Sequence, residues 1–197
     1  VQNFLLEKWL SHFRLMRHKY VTNAIVLQRT PLAEAATLVT LLTEDFGLIR
    51  ARAEGLRKPG AKLSGALQTL SQSEVTLVRG KHGWRISGAL LDHNWFKEFS
   101  PETSERVGRV SSLILRLVQG EGQESLYALY VEFIHKVKGA DLAMGDTLEC
   151  LYALRILSDL GLDAGVLPEI SEETELSSDT RREIVLRINR GIAASGL

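Results

Sequence analysis

The stretch EGLRKPGAKLSGAL, residues 54–67, sets Arg57, Lys58 and Lys62 among Gly55, Pro59, Gly60 and Gly65. Cationic side chains between glycines suit anion binding. The cations neutralise a phosphate, and residues without a side chain let the backbone approach it closely. The open question is whose phosphate. A nucleotide-binding P-loop requires G-x-x-x-x-G-K-[ST]. Gly55 and Gly60 have the required separation, but position 61 is alanine and Lys62 comes one residue late. Leu63 stands where a hydroxyl must hold magnesium, which argues against a nucleotide hydrolase. Two readings remain on local grounds: a tight turn with solvated lysines, or a flexible basic loop that touches nucleic-acid phosphates.

No other pattern supplies reaction chemistry. His12, His18, His82, His93 and His135 are scattered, with no H-E-x-x-H, and there is no G-x-S-x-G. The single cysteine, Cys150, lies in an apolar stretch, so an intramolecular disulfide and a cysteine zinc site are both ruled out. The expectation is a non-enzyme with no metal and no cofactor. No apolar run approaches 18 residues, so no transmembrane helix is expected.

The elements that position the basic residues follow from charge and period. The net charge is zero. From Arg17 to Asp92, however, 11 Lys and Arg stand against 6 Asp and Glu, a net of +5. From His93 to Leu197 the count is 11 against 17, a net of −6. A basic half joined to an acidic one points to polyanion contact on one side. In GLIRARAEG, Ile49, Ala51 and Ala53 alternate with Arg50, Arg52 and Glu54, the period of a half-buried strand. NAIVLQR, TLVTLLTE, SEVTLVRG and WRISGALL are further β-rich segments, joined through EDFG and RGKHG. KLSGALQTL reads as one short helix between the third and fourth strands. Five strands with that interruption predict a small OB-type barrel. Arg50 and Arg52 then lie on its outward face, where such barrels bind single strands. Arg79, Lys81 and Arg85 flank the RGKHG turn and extend the patch. Trp84 begins the fifth strand and is read as a core or rim aromatic.

The acidic half is helical. Val107, Val110, Ile114 and Leu117 recur at spacings of three and four, as do Leu126, Tyr130, Phe133 and Val137. Leu148–Leu160 is apolar on most sides and reads as a central helix stopped by Gly161. PEISEETELSSD, with five acidic residues and no basic one, reads as a solvated linker. Thr180 and Glu183 fit a capping box for a last helix with Ile184, Ile188 and Ile192 on its buried stripe. The fold class is therefore α+β: an N-terminal OB-type β-barrel over residues 16–92, followed by an all-α domain over 93–197. Residues 1–15 are read as a start-site extension, with Met16 as the natural start. Phe4, Leu5, Trp9, Leu10 and Phe13 in that segment can share one helical face, and a membrane-surface helix is the rival reading.

From about Tyr20 to Leu90 the chain resembles the RecO family of bacterial recombination mediators. The resemblance rests on Glu34 before the second strand, on LLTEDFGLIR, on GLRKPGAKLSGALQ and on VRG closing the fourth strand. It implies an OB-fold with a helical remainder. It also implies a DNA-repair accessory protein that binds single- and double-stranded DNA and anneals complementary strands. The implied partners are the acidic C-terminal tail of single-strand binding protein, RecR and, indirectly, RecA; the implied location is the cytoplasm, with the nucleoid. It favours phosphate contact by Arg50, Arg52, Arg57, Lys58, Lys62, Arg79, Lys81 and Arg85. The tail peptide would need a basic spot on the acidic half, and Arg106, Arg109 and Arg116 share one helix for it. Many members carry four zinc-binding cysteines in the helical domain, where this chain has Cys150 alone, and a longer insertion where a brief acidic linker stands here, so the helical domain is read as shortened. Two rival readings are an OB-fold interaction protein without DNA binding and a nuclease. The nuclease is disfavoured by the lack of a clustered Asp/Glu/His set in the basic half.

Overall fold

A computed structural model describes residues 18–32, 36–56, 60–167 and 176–196. The N-terminal extension, Glu34, Arg57, Lys58 and most of the acidic linker lie outside these described residues. Five strands close into a barrel: β1 (Lys19–Pro31), β2 (Ala36–Thr43), β3 (Gly47–Glu54), β4 (Ser71–Gly80) and β5 (Gly83–Asn94), in the ring order β1-β2-β3-β5-β4. All neighbours pair antiparallel except β3 and β5, which pair in parallel at Ala51–Trp84 and Arg52–Arg85. Four helices follow among the described residues: α1 (Pro101–Leu117), α2 (Ser125–Lys138), α3 (Leu142–Asp159) and α4 (Ser178–Ala194). None of them is long and apolar enough to cross a membrane.

Alternation along the strands produces two apolar clusters. Ala24, Val26, Val39, Leu41, Ile49 and Ala51 point into the barrel with Leu77 and Trp84. Ile25, Leu27, Leu42 and Leu48 point outward, yet they are as deeply buried, because Val110, Ile114, Leu126, Tyr130 and Phe133 of the helices cover them. This is why NAIVLQR is apolar without alternation: its strand is buried on both faces.

KLSGALQTL is not a regular helix. It makes isolated turns, with Ser64 N–H donating to the Ala61 carbonyl (3.0 Å) and Leu67 N–H to that of Leu63 (3.1 Å). A few residues around Gly65 gain too few backbone bonds to offset helix nucleation. The helix-like spacing of Leu63, Ala66, Leu67 and Leu70 arises because Leu63 and Leu67 plug the barrel end while Leu70 turns to the cluster shared with the helices, with Leu67 fully buried.

Gly161 does stop α3. It adopts φ +70°, its N–H reaches the Ser158 carbonyl (3.0 Å), and Leu162 N–H reaches that of Leu157 (2.8 Å), the Schellman arrangement. The cap of α4 sits three residues earlier than Thr180. Ser177 is the N-cap, and its hydroxyl accepts from Thr180 N–H at 3.2 Å. Ser177 precedes the first helical residue in an extended conformation and so meets the free N–H groups first. Ile184 is buried against Leu151 and Leu154, whereas Ile188 is only partly covered. Ser177→Ala is expected to cost about 1 kcal/mol of stability, measured by chemical denaturation, because an orphan donor loses its acceptor.

Candidate nucleic-acid interface

The outward face of the barrel away from the helices is built by strand register. Lys19 of β1 lies opposite Val78 of β4, and Val78 lies opposite Arg85 of β5. Arg85 pairs with Arg52 of β3, and Arg52 faces Leu38 of β2. The three cations therefore share one cross-strand row, on strands separated by roughly 4.8 Å at each step. Arg50 sits two residues along β3, on the same face, opposite Thr40. Lys19, Arg50, Arg52 and Arg85 are exposed.

The β4–β5 hairpin stands beside this row. Lys81 and His82 form its exposed tip between the paired glycines Gly80 and Gly83. Arg79 precedes the tip, with its guanidinium carbon 4.7 Å from the centre of the Trp84 ring. Trp84 itself is buried in a cluster with Tyr20 and Phe46, at ring separations of 5.5 and 5.1 Å, which fits a core aromatic. Lys62 is exposed on the segment that leaves the end of β3. Two of the arginines have carboxylate partners: Arg52 Nε lies 2.6 Å from Glu54, and Arg79 Nη1 lies 2.9 Å from Glu121 of the α1–α2 connection. All four side chains are about half exposed, so these pairs add little stability and can exchange for other anions.

Lys19 was not legible as part of this face. Its place depends on a pairing with a residue 59 positions away, and no local motif signals that.

Arg106, Arg109 and Arg116 do not form one free basic spot. Arg106 is buried, and its guanidinium bonds Asp146 (2.8 Å) and the Leu142 carbonyl (3.1 Å). Gly145 makes room for it, since a Cβ there would lie 3.0 Å from Arg106 Nε. Hydrogen bonds from Arg106 and Arg181 hold the Asp146 carboxyl below its ordinary range. Arg109 grips Glu149 with two nitrogens (2.5 and 2.6 Å), which raises its own pKa, and it also pairs with Glu105. These two arginines bind α1 to α3. Arg116 is exposed, with no ion pair among the described residues.

No group of three His, Cys, Asp or Glu side chains that could hold a metal occurs among the described residues. Burial raises the pKa of the Cys150 thiol, which opposes nucleophilic use.

Residues 16–92 match the family model described as recombination protein O N terminal. A protein of Dehalococcoides mccartyi named DNA repair protein RecO is 44% identical over 72 residues, covering 36% of this chain and 28% of the relative. Proteins of the same name from Heliobacterium modesticaldum and Pelotomaculum thermopropionicum are each 30% identical. The first covers 78% of this chain and 58% of the relative, the second 72% and 55%. The chain thus spans less than three fifths of the length of these relatives.

Proposed function

Because the chain belongs to the RecO family, we propose that it is a DNA-repair and recombination accessory protein that binds single- and double-stranded DNA and anneals complementary strands. The observation that carries this reading is the row formed by Lys19, Arg85 and Arg52, with Arg50 beside it, on the open face of a closed OB-type barrel. Four cations on a rigid sheet follow a phosphate backbone without reading its bases. Lys62 extends the track from the segment after β3, and Arg79 and Lys81 extend it from the hairpin; Arg57 and Lys58 belong to the same basic stretch of sequence and are proposed to share its role. Annealing needs no catalytic group: the cations neutralise two backbones and lower their mutual repulsion, and no bond is made or broken. The phosphate sought by the basic loop is in this reading that of a nucleic acid.

The partners in this proposal are the acidic tail of single-strand binding protein, RecR and, through them, RecA. On the helical half the tail contact rests on Arg116, since Arg106 and Arg109 are engaged with α3. One observation favours a different reading, an interaction module without DNA binding: Arg52 and Arg79 already hold carboxylates.

Fluorescence anisotropy with labelled single strands across a salt series tests the proposal. Binding is expected to weaken steeply as salt rises, because each neutralised phosphate releases counterions. Labelled complementary strands should pair faster with the protein than without it, and incubation with magnesium should leave them uncut. Absence of binding at low salt would favour the interaction module, and cleavage would favour a nuclease.

A further inference from the structure

The connection between α1 and α2, residues 118–124, is seated on the barrel by backbone contact. Leu48 N–H donates to the Gly122 carbonyl at 2.7 Å, and both Gly47 and Leu48 bridge to Gly122. The approach is close enough to require glycine at position 47. That residue has φ +60°, and a Cβ there would fall 1.8 Å from the Gly122 oxygen. Seated in this way, the connection brings Glu121 over the basic face. Its carboxylate pairs with Arg79 at 2.9 Å, and together with Arg50, Leu48 and Gly120 it lines a cleft of about 150 Å³. Arg79 is stacked on Trp84, so its guanidinium is already positioned for an anion. A carboxylate offers such a guanidinium the same things as a phosphodiester: negative charge and paired oxygen acceptors.

We infer that Glu121 occupies a phosphate position on the basic face, so that nucleic acid must displace it and the helical half thereby sets the affinity of the barrel. This rests on the DNA-binding reading above. It adds an occupant contributed by the acidic half and a site, bounded by Arg50 and Arg79, which that occupant competes for. The strength of the contact suits a tuning role. An ion pair about half exposed biases an equilibrium by only about one-and-a-half- to fivefold, so a phosphate can replace it while its removal remains measurable.

The test is anisotropy of a labelled oligothymidylate with the full chain and five variants. Glu121→Gln is expected to bind about two- to fivefold tighter than the wild type. Glu124→Gln, an equal change of net charge on the same connection, is expected to gain less. In an Arg79→Gln background the gain from Glu121→Gln should vanish, because the residue it competed for is gone. Gly47→Ala, which lifts the connection by steric clash, should reproduce the tightening if melting shows it folded; if it does not fold, the Glu121/Arg79 cycle decides. A gain that persists without Arg79, or that Glu124→Gln matches, would reduce the effect to general charge and overturn the inference. No gain at all would overturn it too, while leaving DNA binding by the wild type intact. If neither the wild type nor Glu121→Gln binds, the DNA-binding reading fails, and this inference with it.

Discussion

Simultaneous replacement of Arg50, Arg52 and Arg85 by alanine is expected to weaken single-strand binding by about a hundredfold at roughly 0.1 M salt. For single strands the log–log slope of affinity against salt is about −0.7 per contacted phosphate. Three lost contacts therefore flatten the slope by about two units, and at one tenth molar that amounts to about two powers of ten. The deficit should shrink to about tenfold at roughly 0.3 M, because the same term scales with the logarithm of salt concentration. Oligonucleotides of different sequence should be affected alike, since phosphate contacts carry no direct base information. Stability should change by less than about 0.5 kcal/mol per exposed position, which thermal melting checks. A parallel variant of Arg57, Lys58 and Lys62 separates the strand face from the loop. If the strand-face variant is folded and keeps the wild-type slope, the cross-strand row is not the track and the loop must be.

The parts of this architecture that were legible in the sequence are those with local causes. Alternation in GLIRARAEG placed Ile49, Ala51 and Ala53 inside and Arg50 and Arg52 outside, and the burial of β3 follows that pattern. The stripes of α1 and α2 follow the three-four spacing, with Val107, Val110, Ile114, Tyr130 and Phe133 all buried. Features that depend on a partner distant in the chain were not legible. Arg106 has the spacing of a solvated helix cation, and only Asp146, 40 residues on, turns it inward. The plug Leu63–Leu70 has the apolar spacing of a helix because a barrel end and a helix groove both favour side chains three and four apart. What distinguishes them is the bond from Leu70 N–H to the Val26 carbonyl on β1 (2.8 Å). The Ser177 cap was local but ambiguous, since Thr180 offers the same hydroxyl three residues later.

The reading of two separable domains meets a further fact of this kind: barrel and helices share one apolar cluster. Leu48 shows it best. It lies on the outer face of β3, two residues before Arg50, yet it is 1% exposed, because the helices cover it. Leu48→Ala is expected to lower stability by about 2–5 kcal/mol, the cost of lost apolar burial plus the residual cavity. The backbone bond from residue 48 to Gly122 survives the change, so the loss reports packing alone. If the cluster couples the halves, helix ellipticity and tryptophan emission should shift to the same lower denaturant midpoint, since one cooperative unit has one transition. A piece ending near His93 would leave Ile25, Leu27, Leu42, Leu48 and Leu70 facing water together, and an apolar patch of that kind is expected to drive association in gel filtration. The opposite outcome is equally definite. If helix ellipticity moves while the emission of Trp84, read with Trp9 and Trp95 replaced by phenylalanine, keeps its unperturbed midpoint, and the short piece elutes as a folded monomer, the barrel stands alone and the shared cluster is only a contact between two domains.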